Sequence, residues 1–197
     1  MLRAVLFDLD NTLVDRNRAF RESVHSRFDN PDVCAELLRR DQGGRGDRAA
    51  LFACWEQQSG GAMNQTRFGQ LIAEHLQPDR NLIRALQAHS STLKLGLITN
   101  GGSKTQRQKI RAAGLEEVFP ADRVWISAEV GHEKPGATIF LRACQSLGTA
   151  PASCLFVGDH EQDDLHGAMN AGLRVRLVDS VLDANELNRL LGQEALR

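Results

Sequence analysis

The stretch Ala4-Val5-Leu6-Phe7-Asp8-Leu9-Asp10 constrains the fold more than any other part of the chain. A short apolar run that stops at polar residues reads as a strand buried on both faces, as in a parallel sheet. Parallel strands need crossover connections, and open parallel sheets bind ligands just beyond the carboxyl ends of their strands. Asp8 falls at such an end and Asp10 in the turn above it. Two carboxylates at a buried edge repel each other, so they need a cation, a shared proton or both. The pair therefore marks a site, with Asp8 as its candidate nucleophile.

The 197 residues suffice for one α/β domain or one domain carrying an insertion. A formal net charge of −1, with Lys and Arg scattered and no aromatic platform beside them, argues against nucleic acid or a membrane surface as partner. No apolar run reaches the roughly 18 residues of a membrane-spanning helix. The N-terminus enters a strand directly, without a basic leader and cleavage site, and a cytoplasmic protein is expected. Cys34, Cys54, Cys144 and Cys154 are far apart in sequence and form no CxxC pair, so reduced, buried thiols are expected. Nothing in the sequence bears on oligomeric state.

Between residues 16 and 87 there is no convincing strand. Apolar residues recur at near-helical spacing around Val24, Leu37, Trp55 and Leu71, separated by Asn30-Pro31, Gln42-Gly43-Gly44-Arg45-Gly46 and Gly60-Gly61. This predicts four helices joined by glycine-rich turns. From Leu93 the strand pattern returns, over residues 93–98, 124–126, 154–157 and 173–178. Helices are expected at residues 103–113, with Ser103 as cap, at 138–147 and at 184–191. The pattern predicts an α/β fold: a Rossmann-like doubly wound parallel sheet from residues 1–14 and 89–197, with a small all-helical insertion over 15–88.

Polar clusters then fall at the ends of four strands: Asp8 and Asp10; Thr99 and Asn100; Lys134; and Asp159 with Asp163 and Asp164. Together they supply a nucleophile-acid pair, a hydroxyl donor, a cation and carboxylates for a hard metal. That set suits phosphoryl transfer from a monoester. Like charges 4 Å apart cost roughly 4 kcal/mol even at an effective dielectric near 20, so the phosphate must be neutralised before a carboxylate can attack it. Mg²⁺ on Asp8, Asp159 and further oxygens, Lys134, Thr99 and the backbone N–H groups of Asn100 and Gly101 would do so. Asp8 would attack phosphorus and Asp10 would move the proton. For that role the Asp10 pKa is expected to be raised by its anionic neighbours.

These residues resemble the haloacid dehalogenase-like (HAD) superfamily in its phosphatase branch. The matching pieces are Asp8-Leu9-Asp10-Asn11-Thr12, then Ile98-Thr99-Asn100-Gly101, Lys134-Pro135, and the stretch from Gly158-Asp159 through Asp163-Asp164 to Gly167-Ala168. The resemblance implies a nucleophile Asp8, an acid/base Asp10, phosphate-binding Thr99 and Lys134, and Mg²⁺ ligands Asp8, Asp10 through its carbonyl, and Asp159. Asp164, with Asp163 as the alternative, supplies the second acid of the last motif. The insertion matches the position of a helical C1 cap, which implies a small phosphorylated metabolite as substrate.

Several weaker signals read as ordinary structure. Gly101-Gly102-Ser103-Lys104 fails the P-loop spacing, leaving Lys104 a first-turn helix charge. His160 and His166 are expected to be surface or loop residues, Glu133 is expected to point outward, and Arg45, Arg48 and Trp55 are expected to be a flexible loop and an interior aromatic of the insertion. A phospho-acceptor signalling module and a 2-haloacid dehalogenase are competing readings. Asp10 argues against both, since it would hasten loss of the phosphoryl group in the first and is lacking in the second.

Overall fold

A computed structural model describes residues 1–195. Strand β1 (Ala4–Phe7) is followed by five helices, α1 (Arg16–His25), α2 (Pro31–Asp41), α3 (Arg48–Ser59), α4 (Gln65–Ala73) and α5 (Arg80–His89). There follow β2 (Lys94–Thr99), α6 (Ser103–Ala112), β3 (Val124–Ile126), a short α7 (Ser127–Val130) and α8 (Ala137–Ser146). The chain closes with β4 (Cys154–Gly158), a π-helical turn (Glu161–His166), α9 (Gly167–Asn170), β5 (Arg174–Leu177) and α10 (Ala184–Ala195).

The strands form one parallel sheet in the order β3-β2-β1-β4-β5. β1 lies at its centre, with Ala4 in register with Lys94 on one side and Cys154 on the other. Alternation along the strands separates two cores. Val5, Phe7, Leu95, Leu97, Leu155 and Val157 face one layer, which includes α5, α6 and α10. Ala4, Leu6, Ile98 and Phe156 face the other, formed by α8 and α9. Helices cover both faces of the central strand, which is why β1 is a continuous apolar run, whereas the edge strand β5 alternates Arg174 and Arg176 with Val175 and Leu177.

The helices between β1 and β2 start for a local reason. Each has an Asp or Asn N-cap whose side chain accepts a backbone N–H: Asp15, Asn30, Asp47, Asn64 and Asp79. Such caps are worth about 1 kcal/mol each. The fifth helix, α5, is one more than the four expected in this stretch. It packs on α10, and His89 Nε2 meets Asn188 Oδ1 at 2.8 Å, so it belongs to the layer under the sheet.

Helix α4 docks on α6 with Gly69 at the crossing, where a Cβ would come 2.9 Å from Thr105 Cα and 2.7 Å from Gln108 Oε1. Ser103 does not cap α6 through its side chain. Gly102 holds the cap position, and Ser103 Oγ donates to Glu129 Oε1 at 2.5 Å. The four cysteines are free, as thiols, but Cys144 and Cys154 are not far apart in space: their sulfurs are 3.4 Å from each other between α8 and β4.

Candidate active site

Parallel topology brings distant strand ends to one edge. β1 ends at Phe7, but the Asp8 N–H still donates to Val157 O at 2.8 Å, carrying the sheet's bonding one residue further. The Asp8 carboxylate is buried and accepts from Lys134 Nζ at 2.6 Å; the same ammonium donates to Asp164 Oδ1 at 2.6 Å. Burial raises the Asp8 carboxyl to about 7, with Lys134 opposing and the charges of Asp164 and Asp10 adding to the rise. Burial pulls the Lys134 ammonium down, but its two carboxylate partners outweigh that and leave it raised.

Lys134 is presented by a bracket. Asn100 Nδ2 donates to Lys134 O at 2.8 Å, and Lys134 N donates to Asn100 Oδ1 at 2.9 Å, beside a cis Lys134–Pro135 bond. The Asn100 side chain thus positions the lysine. The Gly101 N–H, expected to face a phosphate, instead donates to Ser127 Oγ at 2.9 Å. Thr99 Oγ1 is buried and accepts from Gln106 Nε2 at 2.5 Å.

Asp164 is fully buried against Gly158, where a Cβ would lie 2.2 Å from Asp164 Oδ2. Only glycine leaves that room. The His160 N–H donates to the same oxygen at 3.0 Å. Asp163 turns away: its carboxylate meets His160 Nδ1 at 3.1 Å, on the rim. Oxygens of Asp8, Asp159 and Asp164 all lie within 4.8 Å of one another. Burial and the Asp164 charge raise Asp159 as well. Three hard oxygen donors converging in this way fit a small divalent cation such as Mg²⁺.

Asp10 differs from expectation. Its carboxylate is gripped by Lys109 Nζ, 2.6 Å from Oδ1 and also bonded to Oδ2, while Gln106 Nε2 donates to Oδ2 at 3.1 Å. Burial pushes the Asp10 carboxyl up, but the Lys109 ammonium and its hydrogen bonds prevail and hold it below the usual range. The cation beside it, absent from the sequence reading, reverses the direction expected from its anionic neighbours. Gln106 and Lys109 sit three apart on α6 and are buried, so both face the site. A polar pair at helical spacing after Thr99 was the available signal.

The insertion supplies the opposite wall of a cavity of about 250 Å³. Arg16, Arg45, Arg48 and Phe68 line it. Arg45 and Arg48 therefore face the strand-end acids, whereas Trp55 is an interior aromatic, edge-on to Phe28 at 5.0 Å. Nor is the turn at residues 42–46 loose. Buried Asp41 accepts from Arg16 Nη2 at 2.6 Å, from Arg48 Nη1 at 3.0 Å and from the Gly44 N–H at 3.0 Å. Gln42, Gly43 and Gly44 all have positive φ, and a Cβ at Gly46 would overlap Arg40 O at 1.7 Å. His160 lines the cavity while its ring accepts from the Asp163 N–H; His166, Glu133 and Lys104 are exposed.

The sequence matches the family of haloacid dehalogenase-like hydrolases over residues 5–178. It is 27% identical to the N-acylneuraminate-9-phosphatase of Rattus norvegicus, across 88% of this chain and 80% of that one. It is 31% identical to the glyceraldehyde 3-phosphate phosphatase of Methanothermobacter thermautotrophicus, across 94% and 89%. Among solved structures, the HAD-hydrolase YfnB of Bacillus subtilis bound to magnesium superimposes with a TM-score of 0.73 at 21% identity, over 97% of this chain and 99% of that one. The parallel sheet, the span of the family match and phosphatases aligned over most of the chain lead to one assignment: the protein belongs to the haloacid dehalogenase-like hydrolases and is a hydrolase of phosphate esters.

Proposed function

We propose that the protein is a Mg²⁺-dependent phosphomonoesterase that acts on a small phosphorylated metabolite through an aspartyl-phosphate. The observation that carries this reading is the buried Asp8 at the end of β1, paired with Lys134 inside a three-carboxylate cluster, with Asp10 two residues on. Asp8, Asp159 and Asp164, with the Asp10 carbonyl, would hold Mg²⁺, which supplies positive charge against the anionic phosphate oxygens. The magnesium in the Bacillus subtilis neighbour supports that choice of ion.

Lys134 and Thr99, with the Asn100 N–H, hold the phosphoryl oxygens. Lys134 also lets the Asp8 carboxylate approach an anion. Asp8 attacks phosphorus, a P–O bond to Asp8 forms and the ester P–O bond breaks. Asp10 gives its proton to the departing alkoxide, then takes one from the water that cleaves the aspartyl-phosphate, releasing inorganic phosphate. The pull of Lys109 keeps Asp10 ionised before substrate arrives; the anionic ester beside it raises its proton affinity, and Asp10 takes from solvent the proton it then gives to the alkoxide. Small-metabolite phosphatases among the relatives, and a cavity roofed by inserted helices, support a small substrate.

Hydrolysis of p-nitrophenyl phosphate should require Mg²⁺, stop with EDTA and fall by about 10⁴-fold or more in Asp8→Asn, the range of a lost nucleophile. Intact-mass measurement of quenched wild type should find one phosphoryl group on Asp8. Full activity in Asp8→Asn would sink the mechanism.

A further inference from the structure

We propose that Arg45, with Arg48 beside it, forms a subsite for a second anionic group carried on the alcohol part of the substrate. The inference rests on the phosphomonoesterase reading and narrows it to phosphate esters that bear a further carboxylate or phosphate.

The turn between α2 and α3 is held from within. Asp41 ties Arg16, Arg48 and the Gly44 N–H together, and three successive residues of left-handed backbone lead into Arg45. Gly46 follows, where no side chain fits. A turn fixed in this way presents Arg45 in one place. Order of this kind lowers the entropic cost of gripping a ligand.

The Arg45 side chain makes no hydrogen bond among the described residues, and its backbone N–H donates to Gln42 O at 3.3 Å. Its nearest carboxylate oxygen is Asp159 Oδ2, 3.9 Å from Nη2, and 42% of the side chain is exposed while it lines the cavity. Arg48 is fixed against Asp41 and Gly44 O, with its guanidinium 4.6 Å from the Phe68 ring centroid. One buried carboxylate, Asp41, thus faces two guanidinium groups, and Arg45 adds a third cation to the same wall. Positive charge in excess of its local partners on one wall favours an anion there.

Two features put that anion on the alcohol rather than on the transferred phosphoryl group. The phosphoryl end already has a buried cation of its own, Lys134, against Asp8 and Asp164. Arg16 and Arg48 instead share the cavity with Asp10, the carboxylate assigned to the departing oxygen. What lies beyond Asp10 is the leaving alcohol. A planar guanidinium with its N–H groups free matches a carboxylate or phosphate in two-point contact.

The test uses the full chain with Mg²⁺ and two esters of one skeleton, 3-phosphoglycerate and glycerol 3-phosphate, which differ in a carboxylate against a hydroxymethyl group. A second pair, fructose 1,6-bisphosphate and fructose 6-phosphate, asks the same of a phosphate. Wild type should prefer the extra anion in at least one pair by about 10- to 100-fold in kcat/KM, the range for a charge-assisted hydrogen bond. Arg45→Gln should bring that ratio to within a few-fold of one, chiefly through KM, and Arg45→Lys should restore part of it. Because the Arg45 side chain makes no hydrogen bond within the protein and is 42% exposed, turnover of the ester without the second anion reports that the variant is folded. A wild-type ratio near one in both pairs overturns the subsite. So does an equal loss on both members of a pair in Arg45→Gln, which would assign Arg45 to the transferred phosphate. Wild type inert on all four esters and on p-nitrophenyl phosphate would overturn the phosphomonoesterase reading itself, and the subsite with it.

Discussion

At the scale of the residue, the site is a set of buried carboxylates held against a few cations. Asp8 and Asp164 share Lys134, Asp10 has Lys109, and Asp41 has Arg16 and Arg48. Unpaired, buried carboxylates would become protonated, and a protonated Asp8 is no nucleophile. Lys109 offers the sharper test, because it touches the proposed proton carrier and not the nucleophile. In Lys109→Met, Asp10 loses its strongest partner and the orientation that goes with it. Turnover of an alkyl phosphate, whose leaving group needs a proton, should drop by roughly 10²-fold, the usual worth of a general acid. The drop on p-nitrophenyl phosphate, which leaves as a weakly basic phenolate, should be several-fold smaller. Equal losses on both substrates would mean that Lys109 merely supports the site. Gln106, held between Asp10 and Thr99, should give a milder version of the same pattern.

At the scale of the element, the strands were the most legible part of the sequence and the helix faces the least. Strand ends follow from where an apolar run stops, so Asp8, Thr99, Lys134 and Asp159 could be put at one edge without knowing any contact. Arg16, Gln106 and Lys109 are polar residues on helices, and which way they face depends on docking that no local pattern encodes. The turn at residues 42–46 misled for a related reason. Its glycines look like slack, but they serve backbone angles that Asp41 holds fixed. The helix α5 was hidden because residues 80–89 fell within the stretch assigned to the insertion, whose four expected helices stop short of it. Docking of α4 on α6 rests on Gly69, and α6 in turn carries Gln106 and Lys109. Gly69→Val should force those helices apart, at a cost of about 1–3 kcal/mol by overpacking. In a chain of this size that lowers Tm by roughly 2–12 °C. Thermal melts of this variant against Gly61→Ala, outside the crossing and close to flexible Arg67 atoms, check it. An unchanged melt in Gly69→Val would show that the crossing tolerates a side chain.

At the scale of the molecule, one cavity joins parts of the chain that the sheet alone does not hold together. Its floor is the strand ends with Asp8 and Thr99, one side is α6 with Lys109, and its roof is Arg16, Arg45 and Phe68 from the inserted helices. A ligand that touches floor and roof together binds only when both are in place, so its binding energy stabilises their association. Mg²⁺ alone, sitting among Asp8, Asp159 and Asp164, has no such reach. Mg²⁺ with inorganic phosphate at 100 times its Kd should add about 2.7 kcal/mol to stability. That corresponds to a rise in Tm of roughly 5–11 °C. An ester with a second anion should go further in one specific respect, by slowing amide hydrogen exchange in α1 and around residues 41–48. Mg²⁺ alone should slow exchange only near the ends of β1 and β4. If the two-anion ester protects no more of the insertion than the metal does, the roof does not grip the substrate, and the arginines on it serve the insertion's own packing.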